Sequence, residues 1–244
     1  MINILIPLAG KSQFFGEEYP FPKPVIDIAG IPMIQLVLEN FLKMKNEKKF
    51  IFILKEEDSR QYHIDNVVKL LTNNNCSIVT ITGDTKGAAC SALMAIDYIN
   101  NDNELIIANG DQIIDADFDE FIKRFRDRNV DGGVICFESI HPKFSYVKLE
   151  NDKIIETAEK KPISKNAIAG FYYFKKGSDF VKAAMKSIED DASVNGLYFI
   201  APTYNYLVLD NKNLEIIKIK NEQYHSFYSP QKIAEYEKFL ESKK

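Results

Sequence analysis

Ile2-Asn3-Ile4-Leu5-Ile6-Pro7-Leu8 runs into Ala9-Gly10-Lys11-Ser12-Gln13-Phe14-Phe15, and the stretch closes on Pro20-Phe21-Pro22-Lys23-Pro24. The opening residues are a short apolar run bounded by a turn signal, which reads as a buried strand. Beyond the loop, Pro32-Met33-Ile34 opens a helix, with proline where a missing N–H has no helical partner to lose. Roughly twenty irregular residues between two adjacent elements far exceed an ordinary strand-to-helix link, and such loops are usually functional. This one carries an early glycine, Gly10, and two lysines, Lys11 and Lys23. A permissive backbone beside converging ammonium groups suits a polyphosphate. The competing reading is a surface loop whose lysines are merely solvated.

Strand and helix patterns alternate through the first half. Phe50–Leu54, Ile78–Ile81 and Glu104–Ala108 read as further buried strands. Met33, Val37, Phe41 and Met44 recur at helical spacing, as do Ile64, Val67, Val68 and Leu71. Continuous apolar strands alternating with helices imply a parallel sheet covered on both faces. The second half changes character: Gly132–Phe137 is a strand, Tyr146–Leu149 and Ile154–Glu156 form a hairpin, and Ile168–Phe174 is another strand. Helices are expected near Phe180–Ile188, Phe199–Val208 and Pro230–Leu240, with a strand at Leu214–Ile219. With no repeat and no linker, residues 1–244 read as one α/β domain with an antiparallel extension. Residues 1–130 make up its first, strand–helix alternating half and residues 131–244 its second.

Composition narrows the classes. A net charge of −4 argues against nucleic acid or an anionic membrane as partner, since either demands a basic face. No run has the length of a membrane span, and the strand-like start is not a signal peptide, so a cytoplasmic protein is expected. Cys76, Cys90 and Cys136 are odd in number and widely spaced, unlike metal-ligand pairs or a disulfide framework. His63, His141 and His225 lie far apart and suggest no Ser/His/Asp arrangement.

The strand at 104–108 ends in Asn109-Gly110-Asp111-Gln112. That places a carboxylate at the carboxyl end of a central parallel strand, where open α/β sheets bind ligands. Magnesium is held by one or two carboxylates plus phosphate oxygens and water, which makes Asp111 the candidate metal ligand. A turn residue capping the next segment is the plainer reading, and Asp115 and Asp117 read as helix-start carboxylates before Phe118, Phe121, Ile122 and Phe125. Between the third and fourth strands, Thr82-Gly83-Asp84-Thr85-Lys86-Gly87-Ala88-Ala89 offers Asp84 or Thr85 as a helix cap. Its run of small side chains lets a flat base approach the backbone, although tight helix–sheet packing explains small residues equally well. Glu159-Lys160-Lys161-Pro162 supplies a lysine suited to a second phosphate, or simply a solvated face. Gly170 with Tyr172, and Asn195-Gly196-Leu197-Tyr198-Phe199, either line a small-molecule pocket or serve as core and turn residues.

Pro7-Leu8-Ala9-Gly10, Pro22-Lys23-Pro24, Gly30-Ile31-Pro32-Met33-Ile34, Asn109-Gly110-Asp111 and Glu159-Lys160-Lys161-Pro162 occur in the order found in sugar-nucleotidyltransferase-like proteins, and the chain resembles that family over most of its length. The resemblance implies a Rossmann-like, GT-A-type mixed sheet, mostly parallel, with helices on both faces. It also implies Mg2+-dependent transfer of a nucleoside monophosphate to a phosphorylated small molecule, releasing pyrophosphate. On that pattern Lys11, Lys23, Asp111 and Lys160 are the catalytic set, and Leu8, Ala9, Gly10, Ser12, Gly87, Ala88, Asn109 and Gly110 bind the nucleotide. Tyr146, Glu159, Gly170, Tyr172 and Asn195 then contact the acceptor. The run His141-Pro142-Lys143-Phe144-Ser145-Tyr146, with Asn195 and Ala201-Pro202-Thr203-Tyr204-Asn205, resembles a capsule-associated cytidylyltransferase subgroup. That implies CTP as donor and a phosphorylated amino acid, phosphoglutamine, as acceptor. A homo-oligomer stays open, since such transferases are often oligomeric.

Three departures stand against the family pattern. Where the family loop commonly reads Gly-x-Gly-x-Arg, this chain has Ser12 for the second glycine and Phe14 for the arginine. Either Lys11 assumes that charge or the activity is altered. The late aspartate that serves relatives as a second metal ligand has no clear counterpart; Gln223–Phe227 is where to look, with Asn205 as another candidate. The sequence also does not extend into the further carboxy-terminal domain of many sugar pyrophosphorylases. The readings left open are a uridylyl- or thymidylyltransferase acting on a sugar 1-phosphate, a GT-A-like glycosyltransferase, and a non-catalytic nucleotide-binding module. A nicotinamide-dependent dehydrogenase is disfavoured, because the first loop lacks Gly-x-Gly-x-x-Gly.

Overall fold

The computed structural model describes residues 1–10, 14–16, 19 and 21–243. In the first half, β1 (Ile2–Pro7) is followed by a ribbon of β2 (Asp27–Ile28) and β3 (Ile31–Pro32), then α1 (Met33–Lys43) and β4 (Lys48–Lys55). Next come α2 (Glu56–Tyr62), α3 (Ile64–Leu71), β5 (Cys76–Ile81), α4 (Ala88–Leu93), α5 (Ile96–Ile99), β6 (Glu104–Ala108), β7 (Gln112–Ile114) and α6 (Phe118–Asp127). The second half holds β8 (Gly132–Glu138), β9 (Ser145–Glu150), β10 (Lys153–Glu159) and β11 (Asn166–Phe174). It ends with α7 (Gly177–Glu189), α8 (Thr203–Leu209), β12 (Leu214–Lys218), β13 (Tyr224–Ser226) and α9 (Pro230–Ser242).

The main sheet runs β10-β9-β11-β6-β1-β4-β5, with β8 on the other edge of β11 and β12 beside β8. Every neighbouring pair built from first-half strands in this sheet is parallel. β11 then enters antiparallel between β6 and β8, and the β9–β10 hairpin continues from it. The result is a mixed, Rossmann-like α/β sheet with helices around it.

Side-chain alternation explains why the central strands look uniformly apolar. In β1, Ile2, Ile4 and Ile6 join a core with Phe41, Phe118 and Ile122, whereas Leu5 joins the opposite core with Ala89, Ile99 and Phe180. β11 divides the same way, Phe171 and Tyr173 to one side, Tyr172 and Phe174 to the other. Both faces are buried, so a period of two leaves almost no polar residue to reveal it; Asn3 in β1 is buried too, its amide donating to the Tyr98 carbonyl at 3.2 Å. Phe171 meets the rings of Phe41, Phe118 and Phe121, which ties α1 and α6 to the junction strand. Truncating such a ring to alanine costs about 3–5 kcal/mol.

Two local expectations are corrected. α8 begins at Thr203 rather than near Phe199, because Pro202 restricts the residue before it and Phe199 and Ile200 remain non-helical. α4 is not capped by the side chain of Asp84 or Thr85: Gly87 is its N-cap, and the Ala89 N–H donates to the Tyr198 carbonyl at 3.0 Å. Thr85 instead donates to the Gly87 carbonyl, at 3.2 Å. Asp117 does cap α6, accepting from the Asp119 N–H at 2.8 Å. No helix among the described residues is long and apolar enough to cross a membrane.

Candidate active site

Because β1 and β6 lie side by side and parallel, the chain leaves both at the same edge of the sheet. The loop after Pro7 and the turn Asn109-Gly110-Asp111 therefore start as neighbours. Close packing fixes the residue types here. A Cβ on Gly110 would strike the Leu8 side chain, and one on Gly170 would strike the side-chain amides of Asn109 and Gln112. Gly170 also holds φ +61°, a left-handed conformation that favours glycine, while its carbonyl accepts the Asn109 N–H at 3.0 Å.

Lys23 opens a 3-10 turn (Lys23–Val25) between Pro22 and Pro24, and its Nζ donates to Asp111 Oδ2 at 2.5 Å. The far end of the long loop and the end of β6 thus meet across one cleft. Asp111 is held from the other side too: its carbonyl accepts the Phe227 N–H at 2.7 Å, and β13 pairs antiparallel with β7 so that Ser226 faces Gln112. The cleft has a volume of about 320 Å3, and Leu8, Gly10, Ala88, Asn109 and Gly110 line it with that ion pair.

The opposite wall comes from the antiparallel strands. Glu159, at the end of β10, and Tyr172, in β11, both line the cleft. Burial pushes the Glu159 carboxyl above the ordinary glutamate range, against the lowering effects of the Ser145 hydroxyl bonded to it and of the Lys160 charge. Burial likewise pushes the Tyr172 phenol up, helped by the Glu159 charge. Lys160 follows Glu159 without itself lining the cleft; it has φ +54°, donates its N–H to the Phe144 carbonyl at 3.0 Å, and sets its ammonium 4.9 Å from the Phe199 ring centroid.

Other candidates stand back from the cleft. Tyr146 is fully buried, its hydroxyl donating to the His141 carbonyl at 2.6 Å, so it anchors a loop instead of lining the pocket. Gly170 sits behind Asn109. Gly87, at φ +106°, lies against the backbone of Tyr198, where a Cβ would collide. Ala9 is buried in the core with Leu5 and Ala89. Asn195 is exposed, at φ +53°, on the turn that bridges Val194 and Leu197. Lys11 and Ser12 lie outside the described residues.

Sequence reading gave no site role to Lys143, Phe144 and Ser145, which line the cleft together with Phe199, from the 195–199 run offered as a pocket wall, and Tyr224, from the segment searched for a second metal ligand. Strand alternation carried part of that signal: with Tyr146 facing inward, its neighbour Ser145 falls on the other face. Nothing local announces Tyr224, which arrives through the long-range pairing of β13 with β7.

For a metal, Asp111 supplies a carboxylate in the cleft. The described residues contain no cluster of three or more His, Cys, Asp or Glu able to hold an ion. The segment 223–227 does reach Asp111, yet it brings no carboxylate. Asn205 is corrected: its amide is engaged by the Thr157 backbone, accepting the N–H at 2.7 Å and donating to the carbonyl at 3.0 Å.

Solved structures share this architecture. The nucleoside-diphosphate-sugar pyrophosphorylase of Vibrio cholerae RC9 superposes with a TM-score of 0.83 at 22% identity, over 96% of this chain and 99% of that one. A candidate glucose-1-phosphate thymidylyltransferase from Bacillus anthracis gives a TM-score of 0.80 at 17% identity, over 98% and 95%. At those identities the likeness concerns the fold. The bifunctional protein GlmU of Methanocaldococcus jannaschii is 31% identical over 159 residues, which are 64% of this chain and only 35% of that protein. The family model described as Nucleotidyl transferase matches residues 19–221, and the chain belongs to that family.

Proposed function

We propose that the protein transfers a nucleoside monophosphate from a nucleoside triphosphate, CTP by preference, to a phosphorylated small molecule and releases pyrophosphate. The observation that carries this reading is the meeting of Lys23 and Asp111 beside Gly10 in a cleft at the carboxyl ends of parallel strands. An oxygen of the acceptor phosphate attacks the α-phosphorus in line, and the bond to the pyrophosphate oxygen breaks. A phosphate is already anionic at neutral pH, so no general base is required. The protein's task is positioning and charge stabilisation. Lys23 binds the triphosphate, and Lys160 receives the acceptor phosphate. Glu159, oriented by Ser145, accepts hydrogen bonds from the rest of the acceptor. Leu8, Gly10 and Ala88 border the nucleoside, and Asn109 and Gly110 shape the turn that presents Asp111.

The residues fit a divalent ion that arrives with substrate, since Mg2+ needs only one or two carboxylates beside phosphate oxygens and water. Asp111 would hold it, and the bound ion supplies neutralisation of triphosphate charge.

The acceptor class we favour is a phosphorylated amino acid such as phosphoglutamine, on the subgroup resemblance of residues 141–146 and 201–205. A second reading, a sugar 1-phosphate with UTP or dTTP, draws on the names of the structural neighbours. The test is a screen of CTP, UTP, dTTP, GTP and ATP with magnesium against phosphorylated sugars, polyols and amino acids, following pyrophosphate. CTP with a phosphorylated amino acid is expected to give the highest kcat/KM. A sugar 1-phosphate preference would replace the acceptor assignment. Release of a nucleoside diphosphate from a sugar nucleotide would mark a glycosyltransferase, and triphosphate binding without turnover would leave a sensing module.

A further inference from the structure

Lys143 lies in the loop between β8 and β9, where the cleft adjoins a second cavity of about 570 Å3. The two cavities share a wall of Lys143, Phe144 and Tyr224. The Lys143 ammonium is 3.6 Å from the ring centroid of Tyr228 and 4.6 Å from that of Phe144. Among the described residues, no carboxylate pairs with it. Lys23, the other described lysine lining the cleft, is ion-paired with Asp111.

That difference has a physical consequence. A carboxylate partner partly offsets a lysine's charge, whereas an aromatic face attracts the ammonium through its quadrupole and adds no opposing charge. Two rings therefore hold Lys143 in place without discharging it. The rings are themselves braced: Phe14, from the long loop, meets Tyr228 edge-on with centroids 5.6 Å apart, and Tyr224 contacts Phe144 at 6.0 Å. The loop is fixed as well, since the Lys143 N–H donates to His141 Nδ1 at 3.2 Å. Its neighbour Phe144 gives its carbonyl to the Lys160 N–H. A braced, unneutralised cation on the wall of a cleft is an anion-binding group.

We propose that Lys143 grips a phosphate of the substrate pair, with Tyr228 and Phe144 as the shelf that orients it. The proposal rests on the nucleotidyl-transfer reading and adds a phosphate-binding residue from outside the loop and the Glu159–Pro162 turn. Through Phe14 its shelf touches the donor side, and through Phe144 and Lys160 the acceptor side, so the phosphate belongs to one or the other.

The test uses the full chain and titrates magnesium pyrophosphate into the wild type, Lys143→Gln, Lys143→Arg, Tyr228→Leu and Lys23→Ala by calorimetry. Steady-state KM values for donor and acceptor are measured alongside. Losing a charge-assisted hydrogen bond predicts at least about tenfold weaker pyrophosphate binding for Lys143→Gln if the phosphate is the donor's. If it is the acceptor's, pyrophosphate binding holds and the acceptor KM rises by about tenfold instead. Lys143→Arg should restore most of either loss. Tyr228→Leu, which keeps the lysine, should weaken the same step by about threefold to tenfold through loss of the shelf. Unchanged pyrophosphate binding and unchanged KM values in Lys143→Gln, while Lys23→Ala weakens binding, overturn the role of Lys143 alone. A wild type that binds neither pyrophosphate nor any triphosphate overturns the nucleotidyl-transfer reading and this proposal together.

Discussion

The two walls of the cleft are built on different principles. On the parallel side, the backbone decides: strands β1 and β6 end together, Gly110 packs against the Leu8 side chain, and the chain exits where Lys23 and Asp111 meet. On the antiparallel side, side chains decide: a buried carboxyl at Glu159, a phenol at Tyr172 and a lysine between two rings. The backbone-built wall tolerates little change in shape, and on the proposed function the side-chain wall would set what is recognised. A shared reaction with variable acceptors is what such a division permits.

Substitutions on each wall probe that contrast. The largest effect is expected from Asp111→Ala, which should slow pyrophosphate release by about two to three orders of magnitude, some 3–4 kcal/mol of barrier, in a protein of unchanged circular dichroism. Turnover near the wild-type rate would remove Asp111 from the chemistry. Lys23→Ala should weaken triphosphate binding by about tenfold to a hundredfold, read by titration, because it deletes a charge-assisted contact. Equal affinity would move the polyphosphate elsewhere in the cleft.

Gly87→Ala tests the backbone side through stability. It places a Cβ against the Tyr198 backbone at φ +106°, and should destabilise by about 2–3 kcal/mol in denaturant unfolding. Gly10→Ala is its control: nothing lies within 4 Å of the added carbon, so stability should change by less than about 1 kcal/mol. Comparable losses in both variants would erase the distinction between a packed and an open glycine.

The smallest effect belongs to Glu159. Burial raises its carboxyl, so the folded chain keeps that proton to higher pH than the unfolded chain does. Stability is unaffected by this group in strong acid and falls as pH rises through the ordinary glutamate range. Glu159→Gln removes that dependence, and its Tm should gain on the wild type as pH rises through and above the ordinary glutamate range. Parallel Tm curves for the two proteins would show that burial is relieved by solvent.

Much of the parallel wall was legible in the sequence, because strand ends and the loop between β1 and α1 are local features. Ile2–Pro7, Glu104–Ala108 and the turn at Asp111 announce themselves by apolar runs and by where those runs stop. The antiparallel wall was legible only in outline. Tyr146 looked like an acceptor contact, yet its ring is core and Ser145 beside it lines the cleft, a difference of one residue in strand phase. Phe199 was expected inside a helix, and Pro202 delays that helix past it. Lys143 stands out in the sequence only as part of the 141–146 run, and its seat over Tyr228 is set by the loop's tertiary path. Contacts that join distant segments, such as Phe227 with Asp111, leave no periodic trace in one chain.

The clip between β7 and β13 bears on how this protein is made. Ribosomes deliver the Asp111 turn long before residues 224–227, so a nascent chain carries half a cleft with one flank of that aspartate unbraced. Nucleotide capture should therefore be among the last abilities the molecule acquires during synthesis, and a nick or frameshift just ahead of Tyr224 should silence it while leaving most of the sheet assembled.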